Sequence, residues 1–223
     1  MTESQEYKIR RKDFLVDVTI AASTFATSRY YDVSYKNLDR LKPLKEKGFV
    51  LLPNHQSNLD IIFEGLLLDK AIRRKANYIM KNTLPSAFEY LGGIRIIRGK
   101  DLNKPISREE KKMELAKAKE RRDYVLDVFY QLLAKEEIIV LHSQGNRAYK
   151  KPYEPNSSNL KKFLTVQERL NNPIQFVPLA ISYENIKQPF SKVVVNVGDP
   201  IRVPNDGIEM LSAHLMNEIH LEL

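Results

Sequence analysis

Short apolar runs alternate along the chain with segments in which apolar residues recur every three or four positions. The short runs predict buried β-strands over residues 48–52, 77–80, 94–97, 138–141, 176–181 and 193–197. The periodic segments predict helices over residues 14–28, 61–68, 107–137 and 208–223. Because helices separate most of the strands, we expect an α/β fold, a single domain with a mostly parallel central sheet flanked by helices.

The first helical segment stands apart from the rest of the pattern. Apolar residues follow one face of it: Phe14, Val18, Ala22 and Phe25. With a basic cluster before it at residues 8–12, this spacing predicts an amphipathic helix, which either packs on its own domain or lies on a membrane surface. We therefore divide the chain into an N-terminal segment, 1–32, that is a candidate for membrane association, and a main domain, 33–223. No apolar run is long enough for a membrane span.

Composition narrows the classes of function. With 36 Lys and Arg against 28 Asp and Glu, the 223-residue chain carries a formal net charge of +8. Such an excess suits nucleic acid, an anionic bilayer or a phosphate-bearing substrate. Since no nucleic-acid-binding motif is present, we expect no nucleic-acid partner. The chain has no Cys, which excludes disulfides, a thiolate nucleophile and a cysteine-based zinc site.

His55 has the richest chemical surroundings among the chain's 4 histidines. It lies in the segment Asn-His-Gln-Ser-Asn-Leu-Asp, residues 54–60, just after the predicted strand 48–52. Open α/β sheets bind ligands at that end of their strands. His142, which follows the predicted strand 138–141, is a second candidate for the same reason.

Asp60 has two compatible interpretations. Ser57 and Asp60 fit a Ser-x-x-Asp capping box, with Ser57 as the N-cap of the following helix. A carboxylate in the first helical turn can also reach back to the imidazole of His55, which would leave one ring nitrogen free as a general base. The chain has no Gly-x-Ser-x-Gly, His-Glu-x-x-His, Walker A or Gly-x-Gly-x-x-Gly motif. A base without an enzyme nucleophile indicates direct transfer to a substrate hydroxyl.

Residues 54–60 resemble the His-x4-Asp signature of the glycerolipid acyltransferases, the family of the glycerol-3-phosphate and lysophosphatidic acid (1-acylglycerol-3-phosphate) acyltransferases. Further resembling blocks follow in the family's order. They are Gly93-Ile94-Arg95-Ile96-Ile97-Arg98, preceded by Lys81 and Pro85, then His142-Ser143-Gln144-Gly145-Asn146-Arg147, then Val177-Pro178-Leu179-Ala180, and last Val197-Gly198-Asp199-Pro200-Ile201. The resemblance identifies 33–223 as an acyltransferase domain.

The resemblance implies an activity and two catalytic residues. His55 would deprotonate a hydroxyl of a glycerol-phosphate lipid precursor, with lysophosphatidic acid, which becomes phosphatidic acid, as the first candidate. The hydroxyl would then attack the thioester of an acyl-CoA or an acyl-carrier protein. Asp60 would orient His55 and stabilise its charged form. No metal or other cofactor is expected, because the thioester supplies the driving force and the enzyme supplies proximity and a base.

The resemblance also implies a set of acceptor-binding residues: Lys81, Arg98, Gln144, Gly145 and Arg147. The two arginines, and Lys81 more weakly, would bind phosphate, because a guanidinium presents a fork of donors and an ammonium is a point charge. Gly145 would let the backbone approach the ligand closely. With an anionic membrane surface as partner, we expect a cytoplasmic location, peripheral at the inner face of the membrane.

Several positions depart from the family's pattern: Ile97, Ser143, Gln144 and Asn146. Gln144 stands where the third block, usually Phe-Pro-Glu-Gly-Thr-Arg, has Glu. An amide keeps the shape and an acceptor oxygen of the carboxylate, but it loses the charge and gains donors. The alternatives are a different acceptor preference, a lower activity, or a lipid-binding pseudoenzyme that keeps the acyltransferase fold.

Overall fold

The computed structural model describes residues 7–81, 83–96, 107–145, 147, 149 and 153–219. The α-helices of these residues are α1 (Asp13–Tyr30), α2 (Asp60–Ile72), α3 (Arg108–Ala134), α4 (Ser157–Leu170) and α5 (Ile208–Glu218). The strands are β1 (Tyr31–Lys36), β2 (Phe49–Pro53), β3 (Ala76–Lys81), β4 (Gly93–Ile96), β5 (Ile138–Val140), β6 (Phe176–Tyr183) and β7 (Ser191–Val197). Two short 3-10 helices span Leu38–Leu44 and Ser86–Leu91.

The strands form one sheet in the order β1-β7-β6-β2-β5-β3-β4. Every neighbouring pair is parallel except β6 and β7, so β1 and β7 run opposite to the other strands. Because parallel neighbours end at the same edge, the loops after β2 and β5 leave the sheet side by side. The predicted α/β fold with a mostly parallel central sheet flanked by helices is confirmed.

An apolar core lies on each face of the sheet, and the central strands contribute to both. In β2, Val50 and Leu52 belong to one core, whereas Phe49 and Leu51 belong to the other. This alternation is the period of two expected for a strand covered on both faces. Helices α3, α4 and α5 complete the first core and α2 completes the second. The strand ends are therefore the places where polar side chains can gather.

Helix α1 covers the predicted N-terminal helix, but none of its residues is fully buried. Half-buried side chains follow the side that faces the protein: Val16, Ile20, Ser23 and Thr27. The predicted apolar face, which we call the outer stripe, follows the opposite side and is exposed: Phe14, Val18, Ala22 and Phe25. Since apolar side chains occur on both sides, the predicted amphipathicity of this helix is not confirmed. Within the described ranges, no helix combines the length and apolar character needed to cross a bilayer.

Contacts at both ends connect α1 to the rest of the fold. Near its start, Arg11 Nη1 forms an ion pair with Glu137 Oε2 at 2.9 Å, and Asp17 Oδ1 forms one with Lys75 Nζ at 2.8 Å. At its end, the chain continues directly into β1, which pairs with β7. The division of the chain after residue 32 stays a prediction.

Candidate active site

The loop that follows β2 carries His55 and is fastened to the neighbouring strand β6. The buried Asn54 side chain binds both backbone groups of Ile181: its Nδ2 donates to the carbonyl at 2.9 Å, and the Ile181 N–H donates to its Oδ1 at 2.7 Å. Gln56 Nε2 donates to the same carbonyl at 3.0 Å. These bonds hold His55 at the carboxyl edge of the parallel strands, where the sequence predicts it.

Asp60, the first residue of α2, is fully buried, yet both of its carboxylate oxygens accept hydrogen bonds. Oδ2 accepts from His55 Nδ1 at 2.9 Å, and from the backbone N–H groups of Gln56 at 2.8 Å and Ser57 at 2.9 Å. Oδ1 accepts from the Tyr183 hydroxyl at 2.7 Å. A buried charge requires such partners. Burial, followed by the charge of Asp60, raises the pKa of Tyr183, so this hydroxyl stays a donor.

The contact between His55 and Asp60 determines which ring nitrogen is free. An ionised carboxylate only accepts, so we assign the proton of the neutral ring to Nδ1. Nε2 then keeps its lone pair. The His55 side chain is 19% exposed while that of Asp60 is 0% exposed, so a ligand can reach the imidazole but not the carboxylate. This arrangement can act as a general base.

The predicted capping box is only half formed. The Ser57 N–H donates to Asp60, but Ser57 Oγ accepts from the Leu59 N–H, at 3.1 Å, instead of from the Asp60 N–H. Leu59 is the N-cap of α2 and makes no side-chain cap. The assignment of Ser57 as N-cap is therefore wrong. The physical reason is that the helix begins two residues later than the box requires, which turns the Asp60 carboxylate back toward the loop.

Gln144, in the loop after β5, binds the backbone of His55. Its Oε1 accepts a hydrogen bond from the His55 N–H at 2.9 Å. The turn depends on Gly145, whose φ of 72° lies in the left-handed region that favours glycine. The Gly145 N–H donates to the carbonyl of His142 at 3.0 Å. The acceptor oxygen that an amide shares with a carboxylate is thus in use, and it helps to position the base.

The predicted phosphate ligands differ in their surroundings. Arg147 is exposed, and its Nη1 donates to Asn58 Oδ1 at 2.8 Å, which places the guanidinium beside the loop of His55. It forms no ion pair with any acidic side chain that the structure describes. Lys81 ends β3 and is exposed, and no hydrogen bond or ion pair joins it to the site residues within the described chain. Arg98 lies outside the described residues.

Arg95, which belongs to the second resembling block, is engaged elsewhere. It forms an ion pair with Glu89, which is buried and also pairs with Arg10 Nη1 at 2.6 Å. A buried carboxylate requires compensating charge. The packing of Glu89 therefore accounts for Arg95, and we do not assign this arginine to the site.

The structure adds His142 and Glu64 to the site. The rings of His142 and His55 lie 4.1 Å apart, centroid to centroid. His142 Nε2 lies 2.8 Å from Oε1 of Glu64, which is fully buried on α2. The sequence predicts His142 as a candidate but not Glu64. The signal for Glu64 is its position as the single charged residue in the apolar run 61–68, since a buried carboxylate needs a partner.

This second contact changes the protonation of the groups around it. Burial alone would lower the pKa of His142, but the charge and hydrogen bond of Glu64, together with the charge of Asp60, outweigh burial and raise it. Burial and then the charge of Glu64 raise the pKa of Tyr78. The protonated form of His142 is therefore more favoured than that of an ordinary histidine, while Tyr78 stays neutral.

His55, Asp60 and His142 are residue types that bind transition metals, and their potential ligand atoms lie within 4.8 Å of one another. Their hydrogen bonds argue against such a role. Oδ2 of Asp60 already accepts from three donors, and Nε2 of His142 is bound by Glu64. We therefore identify none of these residues as a metal ligand.

Comparison with known proteins adds no family to this description. No protein-family model matches the chain. No curated protein matches it either. The function of the protein is therefore inferred from the geometry of the site and from the residue pattern.

Proposed function

We propose that the protein is an acyltransferase, which moves a fatty acyl group from an acyl thioester to a hydroxyl of a glycerol-phosphate lipid precursor. The observation that carries the proposal is the imidazole of His55, which is oriented by the buried Asp60 and accessible to a ligand. This pair suits a reaction that needs a base and no enzyme nucleophile. The ordered blocks that resemble glycerolipid acyltransferases support the same reaction, with lysophosphatidic acid as the first candidate acceptor.

In the proposed reaction, Nε2 of His55 takes the proton of the acceptor hydroxyl while the oxygen attacks the thioester carbonyl. A new C–O bond forms, and a tetrahedral intermediate results. Its collapse breaks the C–S bond, and the imidazolium of His55 returns its proton to the departing sulfur. The products are the ester and the free thiol of the CoA or carrier protein. Asp60 stabilises the imidazolium between the two proton transfers.

Arg147 is the best-supported ligand for the phosphate of the acceptor. Its hydrogen bond to Asn58 places the guanidinium in the same loop region as His55, so a phosphate bound there would bring a neighbouring hydroxyl toward the base. The fork of donors on a guanidinium matches phosphate oxygens. Lys81 and Arg98 complete the proposed set by resemblance, and Gly145 preserves the shape of the loop.

The exposed surface of α1 offers a way to reach a lipid acceptor. In the outer stripe, Phe14 is 74% exposed and Phe25 is 65% exposed. The 3-10 helix Ser86–Leu91, which contacts α1, adds the exposed side chains of Phe88 and Tyr90. Exposed aromatic residues together with a basic net charge suit binding at an anionic interface. We therefore propose a peripheral position at the cytoplasmic, inner face of a membrane.

Gln144 supports a second candidate function, a lipid-binding protein of the acyltransferase fold without turnover. Its side-chain oxygen is occupied by the His55 N–H, and it brings no carboxylate to an acceptor. A transferase with a different acceptor would have the same feature. The intact pair of His55 and Asp60 favours an enzyme over a binding protein.

Purified full-length protein tests the proposal in an acyl-transfer assay. The donors are an acyl-CoA and an acyl-carrier protein, and the acceptors are lysophosphatidic acid, glycerol 3-phosphate and unphosphorylated monoacylglycerol. We expect ester formation by the wild type and a loss of roughly 10²–10⁴-fold in His55→Ala. His214→Ala is the matched control, because His214 lies on α5 and contacts the carbonyl of Asp199 instead of a site residue. Failure of the wild type with every pair of substrates would favour the binding protein.

A further inference from the structure

A second imidazole–carboxylate pair lies against the first. His142 Nε2 is 2.8 Å from Glu64 Oε1, and its ring lies 4.1 Å from the ring of His55. Asp60 and Glu64 are one turn apart on α2, so each histidine meets one carboxylate of the same helix face. Both carboxylates are fully buried.

The two negative charges in this group of four side chains favour the binding of one proton by an imidazole. Two carboxylates one helical turn apart repel each other, and burial strengthens the repulsion. A proton on either imidazole offsets one of the negative charges. Glu64 needs it more than Asp60 does, because Oε2 of Glu64 is buried without a hydrogen-bond partner in the part of the chain that the structure describes. Asp60, by contrast, has donors at both oxygens.

We propose that His142 and Glu64 hold this proton as an imidazolium–carboxylate pair, and thereby keep His55 neutral and able to act as the base. This inference rests on the proposed function and adds positioning residues to it. The charge on His142, with its ring 4.1 Å from that of His55, repels a second proton. Once His55 has taken the proton of the acceptor, the same repulsion favours its return to the departing sulfur.

The surrounding titratable groups agree with this placement of the proton. The raised pKa of His142 has the required direction. Tyr183, which donates to Asp60, and Tyr78, beside Glu64, both have raised pKa values, because burial and then the nearby carboxylates disfavour ionisation.

Among the described residues, Arg147 lies beside the loop of His55 through its bond to Asn58, and the charge of Arg11 reaches Tyr78. Arg11 forms ion pairs with Glu137 at 2.9 Å and with Asp13 at 3.0 Å. In the described residues, no arginine or lysine forms an ion pair with Glu64. His142 is therefore the cation that Glu64 contacts.

Histidine NMR on the wild-type protein tests the pair directly. We expect His142 to stay protonated above the ordinary histidine value of about 6.5, while His55 is neutral at the same pH. In Glu64→Gln we expect His142 to lose its proton at a lower pH, because burial then acts without the carboxylate. Glu209→Gln, an exposed change in the first turn of α5, is the matched control. A neutral His142 beside a protonated His55 in the wild type would overturn the proposal.

The kinetic test uses His142→Gln, which keeps a donor for Glu64 but cannot carry the charge. Without the imidazolium, His55 is protonated more readily, so we expect the acid limb of the kcat/KM profile to move up by about one pH unit. His214→Gln should leave the profile unchanged, and thermal melting checks that both variants fold. An unshifted acid limb in folded His142→Gln would contradict the proposal. Absence of acyl transfer in the wild type would instead reject the proposed function, and the NMR titration would still decide whether the pair exists.

Discussion

Replacing Asp60 by Asn separates the charge of this residue from its geometry. The backbone N–H groups of Gln56 and Ser57 both point at Oδ2, so they select the orientation in which the amide oxygen takes that place. His55 Nδ1 can then donate to the same oxygen. The amide NH2 faces Tyr183, whose hydroxyl oxygen can accept. We therefore expect Asp60→Asn to keep the tautomer of His55 and to remove only the negative charge.

The bonds at Oδ2 determine the expected magnitudes. A hydrogen bond to a charged group contributes about 1.5–3 kcal/mol and a neutral one about 0.5–1.5 kcal/mol. When the carboxylate becomes an amide, the stabilisation by the three hydrogen bonds at Oδ2 falls by about 3 kcal/mol in total. Part of this loss is recovered, because a neutral amide costs less to bury than a carboxylate. We expect the free energy of unfolding to fall by about 1–3 kcal/mol. Turnover should fall about 10- to 100-fold, since the imidazolium of the transition state loses a charged partner.

Urea unfolding and acyl-transfer kinetics measure these two effects separately. Asp69→Asn is the matched control on the same helix, because Asp69 forms an exposed ion pair with Arg73. It should change stability by less than about 0.5 kcal/mol and leave turnover unchanged. Asp60→Ala removes the acceptor altogether, so its unfolding free energy should fall by about 3 kcal/mol or more. Folded Asp60→Asn protein with wild-type turnover would refute the role assigned to this carboxylate.

Further predictions concern the membrane surface, the phosphate and Gln144. Replacing Phe14 and Phe25 by Ser should weaken sedimentation with anionic vesicles without lowering the melting temperature, because neither side chain is buried. Unchanged sedimentation would show that the outer stripe does not bind the membrane. Arg147→Lys keeps the charge but loses the fork of donors, so KM should rise about tenfold for phosphorylated acceptors only. A similar rise for monoacylglycerol would contradict phosphate binding there. Gln144→Glu keeps an acceptor for the His55 N–H but adds a negative charge, which favours the protonated form of the base. The acid limb of the kcat/KM profile should therefore move to higher pH. An unchanged acid limb in folded Gln144→Glu protein would contradict this prediction.

The sequence predicts β2 to β7, and the clearest of these strands are the three that are buried on both faces: β2, β5 and β6. Residues 138–140 are entirely apolar, and such a run between helical segments has few other interpretations. The apolar pattern does not predict strand β1, because Tyr31–Lys36 lies at the edge of the sheet and carries polar or charged residues on its exposed side. Only its pairing with β7 makes it a strand.

Helix α4 is not among the predicted helices, for a different reason. Its buried residues recur at helical spacing, as Leu160, Phe163, Leu164 and Gln167, so the pattern was present in the sequence. Polar residues between them and the buried glutamine weaken the apolar signal. Gln167 is buried because Nε2 donates to the Val203 carbonyl at 2.9 Å and Oε1 accepts from the Ile174 N–H at 2.8 Å. These partners lie in other segments, and no local pattern reveals them.

The site also contains one contact that local spacing predicts and one that depends on the whole fold. The contact of His55 with Asp60 joins residues five positions apart across one helix start, so spacing alone makes it predictable. The contact of His142 with Glu64 joins residues on a loop and a helix 78 positions apart. Its prediction requires the order of β2 and β5 in the sheet, which follows from packing of the whole domain.

Gln144 and Glu64 are best understood as one arrangement of charge. The block that includes Gln144 resembles a pattern with Glu at this position, but Gln144 offers a neutral oxygen to the His55 N–H. A carboxylate occurs instead at Glu64, in contact with His142. Because an imidazolium at His142 balances only one negative charge and Asp60 and Glu64 are both buried beside it, a carboxylate at position 144 would add a charge that His142 cannot balance. The neutral side chain of Gln144 adds no charge beside this pair, and its oxygen keeps the hydrogen bond that positions the base.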